Sequence, residues 1–350
     1  MRSLATSVEA LLPPLLDAYG PPGRERGVRA VLRRVLRGSG SMSEDASGNL
    51  RLHRPGRGPK LLLVAPMDVP GLIVTRVEPS GLGRVSLLGG RSAAEWIGAN
   101  VRFEDGTAGL VGYDLSKAGK DSPTEPDPDQ LFLETGLKPK EASRAIPVGS
   151  VGAAEDRPAR LGALWCAANL DNRAGCAALA AAVKAVRSAR YDLHVVFTAQ
   201  SELGARGAQT GTFGVDPDWA VVVEVSHVDG KDSSGVTLGQ GPCLGLKEEG
   251  YVAHPEVLAR LRRAASAARI TTQWIVRDGG SSDARAVRAT RIGVPTGLVA
   301  IPARRSGGVS SVAHEGDIAR TAGLIARLLS MPDPGSRGTP GKKKSKGART

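Results

Sequence analysis

Four short runs of unbroken apolar, largely β-branched residues punctuate the chain: KLLLVAP at 60–66, LHVVFTAQ at 193–200, WAVVVEVS at 219–226 and PTGLVAIP at 295–302. Each lacks a polar face, so each reads as a strand covered on both sides. Three longer segments carry helical spacing instead. AGCAALAAAVKAVRSA (174–189) is alanine-rich, HPEVLARLRRAASAARI (254–270) begins with a first-turn proline, and GDIARTAGLIARLL (316–329) has a cap candidate at Asp317 or nearby. Buried strands alternating with helices predict the α/β class, here a mixed sheet flanked by helices.

The stretch from about Gly71 to Leu164 breaks that rhythm. It is rich in Gly and Pro, with short alternating runs (LIVTRVE, RVSLLGG, NVRFEDG, DQLFLETG) and a polar loop at 115–130. These are signals of a small β domain. The α/β pattern stops before it and resumes after it. The expected organisation is therefore a first α/β part at 1–71, an inserted β-barrel-like domain at 72–164, a second α/β part at 165–332, and a tail at 333–350. No internal repeat is visible. Glu9 and the Pro13-Pro14 pair argue against a signal peptide, for a first helix interrupted or ended near the prolines, and so for a cytoplasmic protein.

Composition narrows the function classes. Apolar residues make up 41% of the 350 and no run approaches a membrane span. The three cysteines, Cys166, Cys176 and Cys243, match no zinc or redox spacing and read as buried thiols. Net charge is +12, but the tail from Gly335 contributes six positive side chains and no acid, so the folded body is only mildly basic. Aromatics at 3% exclude a base-stacking platform. The tail offers RNA or another acidic surface only a non-specific contact.

Four acidic residues, Asp68, Asp171, Glu202 and Glu224, fall at or just past strand or helix ends. Ligand sites of open α/β sheets lie at the carboxyl ends of strands, so four such acids together mark a candidate site. A Ser-His-Asp reading of SHVDGKDSSG and GGSSDAR lacks a strand followed by Gly-x-Ser-x-Gly.

Seven stretches in order, GPKLLLVAPMDVPGLIV, NLDNRAGCAAL, TAQSELGARGA, VVEVSHVDG, LGQGPCLG, GGSSDARAV and GVPTGLVAIPAR, resemble the glutamyl and tetrahedral aminopeptidases, cytoplasmic dinuclear metallopeptidases. The resemblance spans roughly residues 10–330. It implies that the inserted β domain mediates self-association into a dimer or larger assembly, and that peptides are the ligands. It also implies two divalent ions sharing one carboxylate, each with a histidine and a further carboxylate, and a separate glutamate as base to a metal-bound water.

Carried over position by position, the bridging carboxylate falls on Asp171, and the other two on Glu202 and Glu224. The histidine ligands fall on Pro66 and, ungapped, on Gly307, and the general base on Ser201. Asp68, at the position that supports the first histidine, is left with nothing to orient. His314 could return as a ligand in a gapped alignment. His227 has counterparts in the family and signals no new ligand, and His53, His194 and His254 read as ordinary. Arg304 matches the family, whereas Arg305 replaces a tyrosine and could supply positive charge to the carboxylates. The expected cofactor is one divalent ion (Zn, Mn or Mg) or none. The expected protein is an impaired or inactive aminopeptidase relative. The alternatives are an active enzyme with a reduced or relocated metal site, and a scaffold recruiting acidic partners by its tail.

Overall fold

The computed structural model describes residues 2–114, 125–187, 190–228 and 235–332. The basic tail and residues 115–124 of the polar loop lie outside the described residues.

The four apolar runs become adjacent strands. β1 (Ser41–Glu44) and β2 (Leu50–Arg54) form a hairpin, and β3 (Lys60–Pro66) follows. A barrel intervenes, made of β4 (Gly71–Val77), β5 (Gly83–Leu88), β6 (Asn100–Phe103), β7 (Ala108–Tyr113), β8 (Leu131–Glu134) and β9 (Val151–Ala154). The remaining strands are β10 (Ala159–Leu161), β11 (Leu164–Ala167), β12 (Asp192–Thr198), β13 (Trp219–His227), β14 (Cys243–Glu248), β15 (Tyr251–Val252), β16 (Gln273–Val276), β17 (Thr296–Arg305) and β18 (Ser311–His314).

The large sheet has the main order β1-β2-β12-β3-β13-β17-β18-β11-β10, with β14 also on β17 and carrying β15 and β16. Its centre, β12-β3-β13-β17, is parallel, and both flanks are antiparallel. Side-chain alternation explains the two covered faces. Leu61, Leu63 and Ala65 of β3 join one core with Val221 and Val223 of β13. Leu62 and Val64 join another with Ala220 and Val222.

Three helices, α1 (Arg2–Asp17), α5 (Leu170–Ala185) and α9 (Glu315–Ser330), pack together on the first face, and α7 (Pro255–Ala268) joins them. The other face carries α6 (Arg206–Val215) and α8 (Asp283–Arg288). Among the shorter helices, α2 (Arg26–Val35) follows α1, while α3 (Ala93–Trp96) and α4 (Pro139–Ala145) accompany the barrel. α5 is buried on all sides, which its alanines permit. At Gly175 a Cβ would stand 2.8 Å from the Val223 carbonyl oxygen, so this helix lies directly on β13.

Three local expectations need correction. α1 runs through Pro13 and Pro14. The missing N–H groups free the carbonyls of Glu9 and Ala10, which sit on exposed residues where water can serve them, while Leu12, Leu15 and Leu16 are buried. Asp317 is not the cap of α9. His314 is, its Nδ1 accepting the Gly316 N–H at 2.9 Å, while the buried Asp317 accepts the N–H groups of Gly239 and Gly241. The inserted β region, expected to reach Leu164, forms its barrel between Gly71 and Ala154. β10 and β11 pair instead with each other and with β18 in the large sheet.

The barrel closes through β4 against β9, where a Cβ on Gly71 would meet the Gly152 oxygen at 2.8 Å. Its own core includes Leu72, Val101, Phe103, Leu131 and Leu133, with Trp96 from α3.

Candidate active site

The carboxyl ends of the central parallel strands face a cavity of about 440 Å³ lined by Asp171, Ser201, Glu202, Glu224, His227 and Arg305, among others. The turn after β12 brings two of these in. Its tightness depends on Asn49, whose Oδ1 accepts the Ala199 N–H (2.9 Å) and whose amide donates to the Gly207 carbonyl (3.0 Å). Gln200 takes a left-handed conformation, φ 54°, with its N–H donated to the buried Glu25.

Asp68 does have something to hold. Fully buried one residue past Met67, it accepts the backbone N–H groups of Ser201 (2.9 Å) and Glu202 (3.0 Å). The expectation that it orients nothing considered side-chain partners alone. Burial, with the neighbouring Glu202 and Glu25 carboxylates, pushes its pKa well above the usual carboxylate range, against the pull of those two hydrogen bonds.

Ser201 donates its hydroxyl to Asp283 at 2.7 Å. Asp283 opens α8, is fully buried, and takes a second hydroxyl from Thr198 at 2.5 Å. Burial raises its pKa, opposed by these two hydrogen bonds. Its own N–H is donated to Glu224 at 3.1 Å, which ties α8 to β13. Glu224, buried and near Asp283, Glu248 and Asp171, is likewise pushed well up. Asp171 precedes the regular part of α5 with φ −87° and ψ 111°. Asn172, beyond a cis peptide bond, accepts the Val225 N–H at 3.0 Å, which holds this turn against β13.

Glu202 reaches under the barrel. Its Oε2 accepts the Gly90 N–H at 3.3 Å, and a Cβ on Gly89 would stand 2.7 Å from the same oxygen. Burial, then the charge of Asp171, pushes Glu202 up to about 7. The adjacent Arg91 donates to the carbonyls of Ala168 (2.9 Å) and Gly308 (3.3 Å). Burial lowers the pKa of its guanidinium, while Asp171, Glu95 and Glu202 hold it up. Arg305 lines the same cavity, with Nε 4.0 Å from Glu95 Oε1.

Sequence reading missed Arg91 and Asp283. The first lies in the inserted segment, where nothing marks one arginine among others. The second sits inside GGSSDAR, one of the matched stretches, and could have been found there.

The donor set does not fit a two-ion centre. Pro66 ends β3 with no side-chain donor, and its carbonyl accepts the Cys176 thiol. Gly307 has φ +83°. His314 is committed to capping α9 and does not line the cavity. His227 does line it, with Nδ1 3.6 Å from Asp171 and Nε2 3.1 Å from Ser311 Oγ. Among the described residues, the only group of three or more His, Cys, Asp or Glu whose ligand atoms all lie within 4.8 Å of one another is His53, Asp192 and His194, at the other end of β12. Among the described residues, too, no helix is long and apolar enough to cross a membrane.

A mixed sheet with an inserted barrel and a carboxylate-lined cavity at its strand ends defines the class, an aminopeptidase scaffold. The chain belongs to the M42 glutamyl aminopeptidase family, whose sequence pattern matches residues 48–324. Enzymes of this family are metal-dependent. A protein of Acetivibrio thermocellus is 29% identical over 324 residues, which cover 91% of this chain and 97% of that one. The lysyl aminopeptidase of Pyrococcus furiosus is 25% identical, covering 93% of this chain and 97% of its own. Among solved structures, an aminopeptidase from Desulfurococcus kamchatkensis superposes with a TM-score of 0.84 at 27% identity, covering 93% of this chain and 94% of its own. The TET1 peptidase of Pyrococcus horikoshii, which assembles into a tetrahedron or a large octahedral shell, shares the fold with a TM-score of 0.82 at 22% identity. That match covers 92% of this chain and 99% of the other.

Proposed function

We propose that this chain receives peptide N-termini in its aminopeptidase-type cavity but does not hydrolyse them at the rate of a two-metal peptidase. The observation that carries this reading is Ser201. At the position matched to the general base stands a hydroxyl that donates its proton to a buried carboxylate 2.7 Å away. A group so engaged cannot take a proton from water, and loss of a general base alone costs about 10²–10⁴ in rate. The absent imidazoles at Pro66 and Gly307 act in the same direction. Asp171, Glu202 and Glu224 offer a peptide ammonium a cluster of oxygen acceptors. Without a ligand, raised pKa values at Glu202 and Glu224 and the charge of Arg91 relieve their mutual repulsion. One hard cation, Mg or Mn, suits an oxygen-only set better than Zn does.

Self-association through the barrel is part of this reading. Exposed Leu110, Val148 and Ile97 on or beside it, and the assembling TET relative, support it. The basic tail is an accessory to that role, and a cytoplasmic location fits the family reading.

The test pairs an aminoacyl-anilide assay in Zn, Co or Mn with metal analysis and calorimetry of a short unblocked peptide. Binding of the peptide, abolished by N-acetylation, without appreciable turnover is the expected result. Near-stoichiometric zinc together with turnover that Asp171→Asn removes would establish an active metallo-aminopeptidase instead.

A further inference from the structure

β2 and β12 pair antiparallel with His53 opposite His194, and Asp192 opens β12 two residues earlier. The imidazole rings stack with centroids 4.3 Å apart and planes within 12°. His53 Nε2 lies 2.7 Å from one oxygen of Asp192, and His194 Nε2 lies 3.5 Å from the other. His194 Nε2 is buried and makes no hydrogen bond of acceptable geometry. A buried polar atom in that state calls for an explanation, and a missing ion is one of the few available.

We propose that His53, Asp192 and His194 bind a divalent cation of the Zn(II) or Ni(II) class, at a site separate from the active-site cavity. Two imidazoles and one carboxylate suit these borderline ions and not Mg or Ca. Around an ion about 2.0–2.2 Å from each donor, neighbouring donors of a tetrahedron stand roughly 3.3 Å apart. The observed 2.7 and 3.5 Å, to the two oxygens of Asp192, bracket that spacing, and the stacked rings must turn apart so that each Nε2 lone pair points at the ion. His53, with 40% of its side chain exposed, leaves an approach from solvent and room for water as a fourth ligand. Binding displaces the proton shared between His53 and Asp192 and gives the orphaned nitrogen of His194 a partner. Lys60, opposite Asp192 in the β12–β3 pairing, places a repelling charge nearby, so the site is weaker than a closed zinc centre.

The position decides the role. Six residues of strand separate Asp192 from Thr198, about 20 Å of extended chain, so the ion cannot take part in chemistry at Ser201 or Glu202. It clips the β1–β2 hairpin to the parallel centre of the sheet.

The test uses the full chain stripped with chelator and titrated calorimetrically with Zn(II), and with Co(II) followed by visible absorption. About one equivalent is expected to bind, with Co(II) ligand-field bands, in wild type and in Asp171→Asn alike. His53→Gln and His194→Gln should each weaken binding more than tenfold and remove the bands. Zinc should raise the melting temperature of wild type and leave that of His53→Gln unmoved. His53 is half-exposed, and the metal-free circular dichroism and melting curve of its variant check that it folds. Unchanged isotherms in both histidine variants, or loss of the site in Asp171→Asn, would overturn the proposal.

Discussion

The two ends of β12 hold opposite chemistries. At the carboxyl end, Asp68, Asp171, Glu202, Glu224 and Asp283 gather with hydroxyls and arginines around a cavity, and among the described residues His227 is the one imidazole lining it. At the amino end two imidazoles share a single carboxylate in a half-buried cluster. The fold determines where a ligand can be held, because parallel strands and helix starts leave a crevice at one end only. It does not determine which donor atoms stand there. In this chain the cavity keeps its negative charge with one imidazole, His227, while the paired imidazoles lie at the other end of the strand.

The largest effect that could break this contrast is catalytic. Ser201→Glu alone should release no measurable amine from aminoacyl-anilides with Zn, Co or Mn. Its new carboxylate would stand beside Asp283 with no metal-bound water to act on. The combination Pro66→His, Ser201→Glu, Gly307→His tests whether the scaffold is still competent, although Gly307 at φ +83° makes its histidine a strained addition. Robust hydrolysis by Ser201→Glu alone would show that the carboxylate end was a working metal centre throughout.

Next in size is a stability difference between the ends. Asp283→Ala strands the hydroxyls of Thr198 and Ser201 in a buried setting and should cost about 2–4 kcal/mol in urea unfolding. Asp192→Asn, in a partly exposed pair measured without metal, should cost under about 1 kcal/mol. Equal losses would erase the distinction between a buried network and a surface cluster.

The pH response of the metal-free chain sharpens it further. Glu202 titrates near 7 when folded and near its ordinary 4.5 when unfolded. Between those values the folded state holds the extra proton. The contribution of Glu202 to stability therefore falls as pH rises from about 4.5 to 7, by an amount on the order of 3 kcal/mol, and is level above that. Glu202→Gln should remove its share of this slope in unfolding midpoints measured across that range, leaving the share of Asp68, Glu224 and Asp283. The smallest effect belongs to Arg91→Gln. Removing a cation that favours the ionised carboxylate should move the Glu202 transition to higher pH, by roughly half a unit to one unit in a carboxyl NMR titration. An unmoved transition would mean that the charge of Arg91 does not act on Glu202.

What could be read from the chain follows from how local each signal is. β3 and β13 were legible because burial on both faces leaves an unbroken apolar run. α5 was legible because alanine at helical spacing has few other uses. Pro13 and Pro14 misled because whether a proline ends a helix depends on which face it occupies, and that is set by α5 and α9, more than 150 residues away. The acids at Asp68, Asp171, Glu202 and Glu224 stood out by their places at element ends. Their partners did not. Asp68 binds a turn that returns 133 residues later, and Arg91 comes from the turn leaving β5 of the barrel. Arg305 was the cation proposed for the cluster from its position beside a matched motif. The geometry adds Arg91 to the field of Asp171 and Glu202, and sets Arg305 within 4.0 Å of Glu95.

Arg91 also bears on how such a protein can be divided. From the turn leaving β5 it grips the Ala168 carbonyl just before α5 and the Gly308 carbonyl beyond β17, while Gly90 beside it holds Glu202. An insertion that merely decorated the scaffold could be exchanged, shortened or lost between lineages with the cavity left whole. This one supplies part of the cavity wall, so the barrel and the sheet work as a single part. A chain with residues 72–154 replaced by a short linker would lose a wall of its pocket, and Glu202 would open to water.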